Sequence, residues 1–104
     1  MTPDQAAIVD FLRDRHVEKL TTTRELGNML ITGGAAKLGF SREVAEGQAA
    51  WDLEAAETRV RFFEETVVPY LGTAGPTGRI ADQQLRLLAW EHGRHRDYDE
   101  AWRP

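Results

Sequence analysis

The stretch from Ser41 to Tyr70 constrains this chain more than any other, because it reads as one long helix with apolar residues on two opposite faces. At about 100° per residue from Leu53, the residues Ala49, Leu53, Ala56, Val60, Phe63 and Val67 fall in one sector, a core-facing stripe. Val44, Trp51, Ala55, Thr58 and Phe62 fall on the other side. Glu54, Arg61 and Glu65 run down one flank between the faces, and Asp52 and Arg59 down the other. Ser41 is placed as an N-cap, Glu43 and Glu46 lie near the positive end of the dipole, and Glu57 and Arg61 have i,i+4 spacing. Pro69 should end or kink the helix. Such a helix would be about 40–45 Å long, more than the roughly 26 Å diameter of a compact chain of this size. It must either protrude or have its second face covered by another copy.

At 104 residues the chain is expected to form a single helical domain, 1–104, whose last ten or so residues make a tail or short helix. Charged residues at 29% and hydrophobic residues at 41% fit a folded, soluble protein. With no long apolar run and no basic, apolar leader, a cytoplasmic location is expected. The absence of Cys excludes disulfides, a cysteine nucleophile and thiolate metal sites. The net charge of -4 is concentrated on the long helix, since residues 41–70 carry three basic and seven acidic groups while the segments on either side are balanced. An acidic central element repels phosphate backbones, which disfavours nucleic acid as a partner.

In chain order, Thr2-Pro3-Asp4-Gln5 has the spacing of a capping box with Pro at the first helical position, and predicts a helix over about 3–20. Its apolar face would hold Ile8, Phe11 and Leu12, extended by Val17 and Leu20. Thr22-Thr23-Arg24-Glu25 repeats the capping pattern and predicts a second, shorter helix carrying Leu26, Met29 and Leu30 and stopping at Gly33-Gly34. A short helical turn over Ala35 to Phe40, ended by Gly39, leads to the Ser41 cap. After a glycine-rich connection, Gly72 to Gly78, a last long helix is expected over about 79–92 with Ile80, Ala81, Leu85, Leu87 and Leu88 inward and Gly93 as C-cap. Asp97 and Glu100 have the spacing of a final capped turn carrying Tyr98 and Trp102. No segment alternates with period two. The expected fold is all-α, a small bundle of about four helices around one long central helix.

Three constellations invite a chemical reading. The segment Glu91 to Glu100 holds His92 and His95 at i,i+3 with several carboxylates, a loose metal-ligand pattern, but Gly93 interrupts it and no H-E-x-x-H signature is present. A solvated helix end, where His and Arg favour the negative end of the dipole, accounts for it as well. Ala35 to Val44 has the apolar and glycine spacing of a helix-turn-helix corner. The helix after it would present Glu43, Glu46, Gln48 and Asp52 with Arg42 as the lone cation, against the needs of phosphate contact. The glycine loops lack the Lys and Ser/Thr of a phosphate-binding loop, and Ser41, the one serine, has no recognisable triad partners. Trp51 and Phe62 are the least bland residues: packed internally they are core, and left exposed they define an association face.

The C-terminus, Leu85-Arg-Leu-Leu-Ala89, then His95, then Asp97-Tyr-Asp-Glu-Ala-Trp-Arg-Pro104, resembles the closing segment of a family of small uncharacterised actinobacterial proteins found in streptomycete-like genomes and their phages. Phe11-Leu12-Arg13 and the charged helix over 50–65 echo the same family. Trp90-Glu91-His92-Gly93 departs from its usual Leu-Pro-Tyr spacer, and its Pro-Gly-Pro-Trp element is missing. The family carries no established activity, so the resemblance implies a lineage and no mechanism.

These features lead to an expectation of a non-enzymatic protein-protein interaction module, homodimeric through Val44, Trp51, Ala55 and Phe62, with another protein as its further partner. No catalytic residue, cofactor or metal is expected. A DNA-binding regulator using Ala35–Val44 is the alternative, and a metal enzyme at His92 and His95 ranks third. Tyr98, Trp102 and Arg103 form either a latch onto the last helix or a docking peptide.

Overall fold

A computed structural model describes all 104 residues. The chain is all-α, with no strand and three helices, of which the first two are long: α1 (Pro3–Met29), α2 (Arg42–Thr66) and α3 (Pro76–Trp90). The expected count of about four is corrected at Thr22-Thr23, where α1 continues without a break. The Thr23 hydroxyl donates to the Lys19 carbonyl at 2.7 Å instead of capping a new helix. This back-bond keeps the threonine inside the helix.

The chain divides into two compact units, Met1–Arg15 with Arg61–Pro104, and His16–Val60. In the first, Ile8, Val9, Phe11 and Leu12 of α1 meet Phe63 and Val67 from the end of α2 and its exit, Leu71, then Ala81, Leu85 and Ala89 of α3, and Trp102. Burying each large member is worth roughly 1.5–3 kcal/mol. The N-terminal capping box forms as its spacing predicts: the Thr2 amide donates to Gln5 Oε1 at 2.9 Å and the Gln5 amide to Thr2 Oγ1 at 3.1 Å.

Helix α3 starts at Pro76, three residues earlier than expected, because Gly75 supplies the turn before it and Pro76 suits the first helical position. It stops at Trp90, after which His92 and Gly93 donate to Ala89 and Trp90 in tight i,i+3 turns, so Gly93 is not its C-cap. From this start Gly78, Ala81, Leu85 and Ala89 share the buried face at spacings of three and four. Leu88 is partly buried, whereas Ile80 and Leu87 sit about 100° or more from that face and are exposed, contrary to the expectation. Pro69 lies in a single 3₁₀ turn, Val68–Tyr70, and α2 ends before it. The final turn, Glu100–Trp102, is capped by Asp99, which accepts from the Ala101 amide at 2.9 Å, and not by Asp97.

The second unit, His16–Val60, is a helical hairpin of quite different interior. A wide turn over Leu30–Gly34 follows α1 and breaks at Gly33, whose φ of 145° only glycine adopts without strain. One turn, Ala35–Lys37, then closes with Gly39 at φ 84°, the Gly39 amide on the Ala36 carbonyl and the Phe40 amide on the Ala35 carbonyl. This is a Schellman stop. Ser41 caps α2, accepting from the Val44 amide at 3.2 Å. Within the hairpin the buried residues are Thr23, Gly27, Ala35, Ala45 and Ala56, and none is larger than threonine. A Cβ built on Gly27 would lie 3.1 Å from the Cβ of Ala49, so the two helices touch there through the smallest side chains. Val17, expected on the inner face, points outward.

Candidate functional site

Helix α2 presents its two faces as the periodicity predicts. On the inner face Ala56 and Phe63 are buried, with Val67 just beyond the helix end, and Ala49, Leu53 and Val60 are half-buried. On the opposite face Val44 is 56% exposed, Trp51 69% and Phe62 47%, and Ala55 and Thr58 are also exposed. All four interface residues expected from the sequence therefore lie in solvent along one uninterrupted helix. Gln48 is exposed on the same face. Val44, Gln48, Trp51, Ala55, Thr58 and Phe62 recur at spacings of four, three, four, three and four, the spacing that a and d positions have in left-handed coiled coils.

The seam is bordered by charge. Gln48 Nε2 donates to Asp52 Oδ1 at 2.8 Å, and Arg61 reaches forward to Glu65 at 3.2 Å instead of back to Glu57. Arg42 and Glu46 pair at 2.9 Å. All these groups are well exposed, so each pair adds only a few tenths of a kcal/mol. Arg13 and Glu64 make two parallel bonds of 2.8 and 2.9 Å, which together with the Glu64 charge raise the Arg13 guanidinium above its ordinary value.

The C-terminal residues have a different fate. Trp102 is buried, its ring 5.3 Å from Phe11 and 5.6 Å from Tyr98, and Tyr98 lies 5.9 Å from Phe11 and 5.7 Å from Trp90. The Arg103 guanidinium stacks 4.7 Å above Trp90. The tail is thus a latch on its own chain, and it grips α1 as well as the last helix. Phe11 is the hub, with His92 and His95 at 6.2 and 5.8 Å completing the ring cluster. Arg15, one helical turn after Phe11, belongs to this cluster although no motif in the sequence marks it. It is buried, covers the Phe11 ring at 4.9 Å and donates to His95 Nδ1 at 2.7 Å. Its i,i+4 relation to Phe11 was the available signal.

The same nitrogen of His95 also accepts from the Asp97 amide at 3.1 Å, so His95 is spent on fixing the tail. No group of three His, Asp or Glu side chains converges in a metal-holding arrangement. Asp82, beside the glycine-rich loop, accepts from Gln5 Nε2 at 3.0 Å and Arg86 Nε at 3.1 Å, which occupies both of its oxygens. The Ala35–Val44 corner has one helical turn before its glycine, and Leu38 and Phe40, which a helix-turn-helix would bury, are exposed.

The Tyr98 hydroxyl is out of contact with solvent and has no hydrogen-bond partner. Burial first, then the charge of Glu100, raises its pKa above the ordinary 10.0. The folded state thus holds this proton more tightly than the unfolded chain does. The stability linked to it is present below pH 10 and is lost as pH rises through the higher folded value. Tyr98→Phe should stabilise the protein by about 1 kcal/mol by removing an unsatisfied buried donor, and should blunt the alkaline loss. Thermal melts at neutral pH and above pH 10 would check both, and a destabilised variant would show that the hydroxyl is satisfied.

No helix is long and apolar enough to cross a membrane. No family model matches the chain, and no curated protein or solved structure matches it either.

Proposed function

We propose that this protein is a non-enzymatic, cytoplasmic interaction module that works as a homodimer through the exposed seam of α2, with another protein as its further partner. One observation carries the reading: the 16–60 hairpin fully buries nothing larger than threonine, with Leu53 and Val60 only half-buried, while Val44, Trp51 and other large apolar side chains of the same unit stand in water. Helices in proteins owe most of their stability to packing of an apolar face, and exposed aromatic residues in one stripe mark a surface that another molecule covers. The C-terminal resemblance supports a lineage among small actinobacterial proteins on this reading.

Light scattering over a concentration range should give a dimer for the native chain. Trp51→Ala should weaken it by about 2 kcal/mol or more, roughly thirtyfold in Kd, and Trp51→Ala with Phe62→Ala should leave a helical monomer. A double variant that remained dimeric at the native affinity would remove these residues from the interface.

A further inference from the structure

The seam carries information about how the second copy lies on it. On one flank Asp52 precedes Arg59, and on the other Glu54 precedes Arg61, with Glu65 beyond it where that flank meets the seam, so over 52–61 each flank runs from acid to base along the helix. A two-fold axis perpendicular to paired antiparallel helices brings each flank against the same flank of the mate, with the order reversed. We propose that α2 pairs antiparallel with α2 of a second copy about a two-fold axis between Ala56 and Glu57. This rests on the association reading above and adds its geometry.

In that register Trp51 packs on Phe62 of the second copy and Phe62 on its Trp51, an aromatic pair at each side of the axis. Ala55 meets Thr58 in the thin middle, and Gln48 meets Glu65, the next position of the seam. Asp52 faces Arg59 and Glu54 faces Arg61, each twice by symmetry, so all four cations of the paired stretch lie opposite acids. The Arg61–Glu65 pair does not block this, because a guanidinium has donors for more than one carboxylate. A parallel mate would set Trp51 against Trp51 over a layer of two alanines and would place no acid opposite Arg61. Flanking charges of this kind set partner orientation in coiled coils.

Because the chain has no cysteine, the register can be read by directed oxidation of the full-length protein. Gln48→Cys and Glu65→Cys are made separately, both at exposed seam positions, then mixed at a concentration where light scattering shows dimer, and oxidised with glutathione disulfide. The mixed disulfide, identified by mass, is expected as the dominant product, since each cysteine lies far along the helix from its own copy in the mate. Homodisulfides at both positions without the mixed species would mean parallel pairing and would overturn the proposal. A dimer that forms neither disulfide would overturn it too, while keeping association through another surface. A monomer at every concentration would remove the homodimer reading itself.

Discussion

Phe63→Ala should cost about 3–5 kcal/mol and bring the 1–15/61–104 unit close to the unfolding threshold of a domain whose whole stability is expected at about 5–15 kcal/mol. Phe63 is 1% exposed and sits among Ile8, Leu12, Val67 and Leu85, the other fully buried large side chains. Truncation deletes the whole ring from a site lined by residues from three segments, and a cavity so bounded cannot collapse without moving a helix. Denaturant unfolding followed by circular dichroism would measure it. A loss below about 1 kcal/mol, outside the range for a fully buried ring, would mean that the ring is not enclosed. Phe62→Ala, one residue earlier on the opposite face, should by contrast leave the stability of a dilute, monomeric sample within about 0.5 kcal/mol, so the pair of variants separates packing from association.

Gly78→Ala should be nearly as damaging for a different reason. A Cβ at that position would lie 1.9 Å from the Thr73 carbonyl oxygen and 2.9 Å from its carbon, and both belong to backbone that is itself tied back to Tyr70 by the Thr73 hydroxyl at 2.6 Å. No rotamer change relieves such a clash. The loop before α3 must move, at a cost of about 1–3 kcal/mol or more, even though alanine is the better helix former. A variant as stable as the native protein in thermal melts would show that the loop yields freely.

The sequence revealed the all-α class, both faces of α2, the Thr2–Gln5 box, the Ser41 cap and the stop at Gly39, because each of these is decided by residues within one or two turns of one another. It misplaced what tertiary contacts decide. Thr22-Thr23 has the local form of a helix start, yet the close contact at Gly27 and Ala49 holds α1 and α2 together beyond it, and propensity loses to packing. Ile80 and Leu87 read as inward from sequence because apolar residues are dense in α3, although only the 78–81–85–89 spacing matches a single face. Of the site, Val44, Trp51, Ala55 and Phe62 were legible as a stripe, but whether that stripe was core or surface depended on what lies behind α2. The ring cluster at Phe11 joins residues some eighty to ninety positions apart, a separation no periodicity reports.

The small-residue interior of the 16–60 hairpin has a consequence for how this protein behaves as its amount changes. With only Thr23, Gly27, Ala35, Ala45 and Ala56 fully shielded inside it, a lone hairpin gains little from its own interior, and its backbone amides are expected to exchange faster than those around Phe63. If a mate supplies the missing packing, their protection rises with concentration by mass action. A cell that makes little of the chain would then hold it partly loosened and open to proteolysis, and one that makes more would hold it closed, so that abundance itself sets the lifetime of the molecule.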